Sequence, residues 1–120
     1  MKKLEVIDAT NWKDFVNAPV AMLMLGKSDC AACNEWTEEL TAFLQSDAEL
    51  GDVRFGKMLL DQRGLHEFKK ASPWLKDVDV LPYNVIFQAG EPKKNFAGKG
   101  VERMKARIAR IQAGVSMMTS

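Results

Sequence analysis

The sequence predicts an α/β domain built on a mixed β-sheet. Three observations carry this prediction. Apolar runs of strand length alternate with amphipathic helical segments through the first half of the chain, which implies parallel strands joined by helical crossovers. After Pro82 the pattern changes to two strands separated only by a turn at Gly90, which adds an antiparallel hairpin at one side. A last amphipathic segment then closes the chain.

Each element has its own reason. Leu4–Ile7 is the first strand. Thr10 has the residue type of an N-cap for a helix from Asn11 to about Asn17, which would bury Trp12, Phe15 and Val16 and stop at Pro19. "VAMLMLG", Val20–Gly26, is a continuous apolar run ended by glycine, the pattern of a central strand covered on both faces. Cys33, Trp36, Leu40, Phe43 and Leu44 then recur at helical spacing with Glu35, Glu38, Glu39 and Gln45 between them. This is an amphipathic helix of about four turns.

Asp52–Asp61 follows Gly51 and carries Val53, Phe55, Met58, Leu59 and Leu60, so it reads as the next strand. Leu65 and Phe68 mark a short helix that Pro73 must interrupt. From Ser72 to Asp79, Trp74 and Leu75 mix with Lys76, Asp77 and Asp79, and the segment reads as an extra turn. Tyr83–Gln88 is a strand with Pro82 at its entrance, followed by a lysine-rich edge strand near Lys93–Ala97. The closing helix runs from Val101 to about Ala113, with Val101, Met104, Ile108 and Ile111 on one face. Arg103, Lys105, Arg107 and Arg110 point away from that face, and Gly114 is the expected stop. The organisation is a single domain over residues 1–113 with a frayed tail over 114–120.

Composition narrows the function. A chain of 120 residues can fold as one domain without disulfide staples. With 47% hydrophobic and 28% charged residues it is not a long disordered segment. Seventeen basic against 16 acidic residues give no net field for nucleic acid or an anionic membrane. Glu5 and Asp8 interrupt the amino terminus before an apolar run of export-signal length can form. The longest apolar run, Val20–Leu25, is about a third of a membrane span. The expectation is a soluble cytoplasmic protein, a compartment where two cysteines do not serve as a permanent staple.

Both cysteines lie in "SDCAACNEW", Ser28–Trp36. Three uses compete for them. Two thiols on one helix can be plain core packing, since free cysteine is among the most buried residue types. A closed zinc site needs about four ligands, whereas this chain has no further cysteine and one histidine, His66. A redox pair has a mechanism: Cys30 at a helix N-terminus meets unpaired N–H groups and the positive end of the helix dipole, which favour thiolate. Residues i and i+3 share a helix face, so the two sulfurs can bridge. Cys33 also lies on the apolar stripe with Trp36 and Leu40, so in this use Cys30 would be the exposed nucleophile and Cys33 the more buried, resolving thiol.

A C-x-x-C at the junction of a buried strand and a helix, followed by "VLPYNVIFQAGE" and a closing amphipathic helix, resembles the thioredoxin superfamily. The resemblance runs from the first strand to about Gln112. It implies a thioredoxin-like fold, a central mixed sheet of four to five strands flanked by helices on both faces. It also implies a thiol–disulfide oxidoreductase with no bound cofactor beyond the redox-active disulfide Cys30–Cys33. The partners would be a protein disulfide substrate and a separate electron donor or acceptor, and the protein would be a monomer. By residue type alone an X–Pro bond favours trans, but the resemblance implies a cis bond at Pro82, beside the cysteine pair in the substrate groove. The backbone of Leu81 would pair with an extended substrate segment. Lys57 in "KMLLDQ" matches a buried lysine near the active site, though by itself it reads equally well as a snorkelling surface lysine.

The chain also departs from that pattern. Asp29 stands where a tryptophan commonly precedes the first cysteine, Ala31 and Ala32 replace Gly-Pro, and Met24 replaces a buried acid. Asp29 opposes thiolate formation at Cys30 and Lys27 favours it. The missing acid removes a carboxylate that could relay the proton of Cys33. His66 reads as a surface residue, the seven methionines as core filler and tail, and Trp74 as a lengthening of the groove wall. The alternative function is a non-catalytic module of the same fold that binds a partner through the groove or through the basic face of its last helix.

Overall fold

Val20–Gly26 forms the central strand β2 and is buried along its whole length. The structure, a computed structural model, describes residues 2–46 and 50–119, with side chains as far as residue 114. Around β2 the chain orders β1 (Leu4–Ile7), α1 (Trp12–Val16), α2 (Ala31–Ser46), β3 (Val53–Leu59) and α3 (His66–Ala71). A 3₁₀ turn (Pro73–Asp77), β4 (Tyr83–Gln88), β5 (Glu91–Ala97) and α4 (Val101–Thr119) complete it. The sheet order is β1-β3-β2-β4-β5. β1 and β2 run parallel to β3, β4 is antiparallel to β2, and β5 is antiparallel to β4.

The unbroken apolar run of β2 follows from its two covered faces. Val20, Met22 and Met24 enter a core with Cys33, Trp36, Leu40 and Leu44 of α2 and Met104, Ile108 and Ile111 of α4. Ala21, Leu23 and Leu25 enter a second core with Trp12, Phe15 and Val16 of α1 and Phe68 of α3. Helices therefore cover both faces of a five-stranded mixed sheet, as the sequence predicts. The same register brings Met24 opposite Lys57 on one side and Asn84 on the other.

Two local expectations are corrected. Thr10 does not cap α1: its N–H and hydroxyl donate to the Asp8 carboxylate at 2.8 and 2.6 Å. The Thr10 hydroxyl first, then its N–H, hold the Asp8 carboxyl below the usual carboxylate range. Asn11 takes the cap position with its side chain turned back to the Asp8 N–H at 2.8 Å, so short polar side chains have drawn the backbone into a turn and shortened the helix. Gly114 does not end the last helix, whose backbone continues to Thr119. Glycine inside a helix costs about 1 kcal/mol relative to alanine but does not forbid it, and Gly114 has no positive φ that would break the turn. The tail expected to fray lies partly outside the described residues. Arg103 and Arg107 lie off the apolar face of α4, as expected, with their guanidinium groups 5.1 and 5.2 Å from the Phe96 ring. They donate to the carbonyls of Ala97, Lys99 and Asn95, fastening α4 to β5.

Candidate functional site

The loop after β2 delivers Cys30 to the head of α2. Its carbonyl accepts the Asn34 N–H at 3.1 Å, so Cys30 occupies the N-cap position, beside the unpaired N–H groups of the first turn. Cys30 and Cys33 are joined as a disulfide with their Cα atoms 5.2 Å apart, and the Cys33 N–H donates to Cys30 Sγ at 3.2 Å. A donor aimed at that sulfur and the positive helix end both favour negative charge there once the bond is reduced. The two sulfurs differ in surroundings: Cys30 is half-buried, whereas Cys33 is fully buried in the α2–α4 core.

Gly26 makes room for this arrangement. A Cβ at Gly26 would stand 3.0 Å from Cys33 Sγ and 3.2 Å from Cys33 Cβ. Its role in the sequence reading was only to end a strand, and no residue spacing signals the close approach. Met24 lies beneath the pair, fully buried, with its sulfur accepting the Thr37 hydroxyl at 3.7 Å. An apolar side chain therefore occupies the place where a proton-relaying carboxylate was considered.

The Leu81–Pro82 peptide is cis. Leu25 pairs with Tyr83, so the residues just before β4 lie at the same sheet end as Gly26 and the cysteine loop. Pro82 is buried, and its carbonyl accepts the Gly98 N–H at 2.7 Å. Leu81 is half-buried and packs against the core that also receives Cys30. One turn beyond Cys33, the Trp36 indole N–H donates to Asn84 Oδ1 at 2.8 Å, and Asn84 Nδ2 donates to the carbonyls of Phe96 and Gly98 at 3.2 and 2.9 Å. This buried network ties α2 to the hairpin behind Pro82. In the sequence Asn84 is merely one polar residue in an apolar strand.

Lys27 and Asp29 are both exposed on the loop before Cys30. Lys57 is half-buried on β3, where it lines a small cavity with Val6, Ile7, Leu59 and Gln62. The structure assigns it no ion pair among the described residues. A contact that the sequence reading missed holds the loop instead. Ser28 donates its N–H at 3.3 Å and its hydroxyl to the Asp61 carboxylate, joining the cysteine loop to the segment after β3. The Ser28 hydroxyl first, and Lys27 last among several contributions, keep the Asp61 carboxyl below its usual range. Trp74 does not line the groove. Its ring packs on Phe68 at 6.3 Å, Tyr83 at 6.5 Å and Phe87 at 6.3 Å, because burying so large an apolar ring favours the core. His66 is exposed at the start of α3.

The architecture has clear counterparts among solved structures. Malassezia sympodialis thioredoxin superposes with a TM-score of 0.71 at 18% identity, over 92% of this chain and 91% of that one. Thioredoxin f2 of Chlamydomonas reinhardtii gives 0.70 at 18% identity, over 91% and 96%. The long form of spinach chloroplast thioredoxin f gives 0.73 at 14% identity, over 92% and 87%. The fold is that of thioredoxin. No family model and no curated sequence matches the chain.

Within the thioredoxin fold, the C-x-x-C pair stands at the β2–α2 junction with the cis peptide at the same end of the sheet. Such a pair can cycle between dithiol and disulfide. Among the described residues no group of three or more His, Cys, Asp or Glu side chains could hold a metal ion, and no helix is long and apolar enough to cross a membrane.

Proposed function

We propose that this protein is a thiol–disulfide oxidoreductase that reduces or exchanges protein disulfides through Cys30 and Cys33. The observation that carries the proposal is the unlike setting of two bonded sulfurs, one half-buried at a helix head and one fully buried behind it. In the reduced protein the Cys30 thiolate attacks one sulfur of a substrate disulfide, forming a mixed disulfide and expelling the other sulfur as a thiolate. Cys33 then loses its proton and attacks Cys30 Sγ. The mixed disulfide breaks, the second substrate thiolate leaves, and two electrons have passed from the Cys30–Cys33 dithiol to the substrate. A separate dithiol donor returns the pair to its starting state.

Leu81 and Pro82 shape the surface that the substrate meets, with the Leu81 backbone available to an extended segment. Lys27, Asp29 and Lys57 tune the charge around the pair. Met24 offers no carboxylate, so the Cys33 proton leaves to water or to the departing thiolate, and resolution of the mixed disulfide is the slow step. The protein acts as a cytoplasmic monomer and carries no cofactor other than its disulfide. Dithiothreitol-driven reduction of insulin tests the proposal: wild type accelerates it, and Cys30→Ser falls to the background rate. A Cys30→Ser protein as active as wild type contradicts it.

A further inference from the structure

A cavity of about 720 Å³ opens beside the cysteine loop. Lys27 borders it three residues before Cys30, and Leu81 borders it just before the cis proline. Ser28 anchors this border through Asp61, which also lines the cavity. Its far wall is the extra segment, contributed by Pro73, Leu75, Lys76, Val78 and Asp79. That wall is held from behind by Trp74, whose ring is wedged against Phe68, Tyr83 and Phe87. The cavity is thus fixed by packing and continuous with the approach to Cys30.

Its chemistry divides by depth. Leu60, Leu75, Val78 and Leu81 are half-buried and form an apolar floor. Lys27, Lys69 and Lys76 are exposed at the rim, and none of them forms an ion pair among the described residues. Two acids oppose them. Asp61 spends its carboxylate on Ser28, and Asp79 is exposed at the rim. Three rim cations against these two leave the balance positive, and an apolar floor beneath a cationic rim fits a large apolar side chain next to an acidic one.

We infer that this cavity is a specificity pocket for the residues flanking the substrate cysteine, selecting a protein segment that combines a large apolar with an acidic side chain. The inference rests on the oxidoreductase reading and adds to it the class of segment that is preferred. The apolar side chain displaces water from the leucines and Val78, and the acid sits within reach of Lys69 and Lys76. Those exposed pairs are worth little each, so the preference is modest and screened by salt.

The test uses disulfide-linked dimers of three short peptides, in which the cysteine is flanked on both sides by Leu and Glu, by Leu and Lys, or by Ser and Gln. Reduction by the pre-reduced protein is timed for each and divided by the rate of dithiothreitol with the same peptide, which removes intrinsic reactivity. Wild type is expected to favour the Leu/Glu dimer over the Leu/Lys dimer by about three- to tenfold at low salt. The Lys69→Glu, Lys76→Glu double variant is expected to erase or invert that ratio, and the milder Lys69→Gln, Lys76→Gln pair to reduce it. Each ratio is internal to one protein, so a general loss of activity cancels. The Ser/Gln dimer is expected to be the slowest with wild type. Equal ratios in wild type and the reversed variant, a preference for the Leu/Lys dimer, or a Ser/Gln dimer as fast as Leu/Glu overturn the inference. Reduction of 2-hydroxyethyl disulfide separates the two levels. If wild type reduces it while showing no peptide preference, the pocket inference fails and the oxidoreductase reading stands. If it reduces neither, both fall.

Discussion

On the Cys33 side of the disulfide, packing and hydrogen bonds fix the core neighbours. Met24, Trp36 and Leu40 are fully buried, Gly26 leaves no room for a larger residue, and Asn84 has partners for all its polar atoms. On the Cys30 side the loop is exposed, the rim of the cavity is lysine-rich, and the wall comes from an additional turn. The difference separates two tasks. In the proposed cycle the closed side would hold the resolving sulfur where it can reach its partner, and the open side would meet the substrate. Asp29, Ala31 and Ala32, three of the departures from the family resemblance, are exposed on the open side, where a change of side chain disturbs no core. On the closed side Met24 is fully buried and fills the space beside the pair.

Substitutions can break this contrast, most severely on the closed side. Asn84→Leu leaves the buried Trp36 indole N–H without its partner and removes the side-chain bonds to the carbonyls of Phe96 and Gly98. A loss of about 2–4 kcal/mol is expected in urea unfolding, read from the midpoint at unchanged slope. A loss below about 0.5 kcal/mol, the size of an ordinary surface change, contradicts the closed-side account. Gly26→Ala is next. Its new methyl group would crowd Cys33 Sγ at 3.0 Å, and a loss of about 1–3 kcal/mol is expected. Stopped-flow measurement should also find slower release of substrate from the mixed disulfide, because Cys33 is the sulfur displaced.

The smallest effect lies on the open side. Ser28→Ala removes the main hydrogen bond that depresses the Asp61 carboxyl, so that group should titrate higher in a carbon-detected NMR titration. The sign follows from linkage. A carboxyl held low in the folded state contributes stability above its unfolded pKa, and the contribution is lost as pH falls through the lowered folded value. The stability gap between wild type and Ser28→Ala should therefore be present near neutrality and close in acid. A gap that stays constant across that range excludes the Ser28–Asp61 bond as its source.

Much of this was legible because the informative residues repeat at short spacing. The run of β2 announced a strand covered on both faces, and Cys33, Trp36, Leu40 and Leu44 announced the buried stripe of α2. What escaped was contact between residues distant in sequence. Trp36 and Asn84 are 48 positions apart, and Ser28 and Asp61 are 33 apart, so neither pair leaves a periodic trace. Trp74 was misjudged because an apolar residue between charged ones signals burial without saying which surface receives it. Thr10 and Asn11 compete for one helix start, and only the bonds to Asp8 decide between them.

The division of labour between the two sulfurs can be tested directly by mixing pre-reduced Cys33→Ser protein with insulin and mapping any adduct by mass spectrometry without reductant. The expected result is a stable mixed disulfide at Cys30 that dithiothreitol releases, with no adduct on Cys30→Ser protein treated in the same way. An unmodified Cys33→Ser protein, or an adduct on Cys33 of the Cys30→Ser protein at a comparable rate, would contradict it.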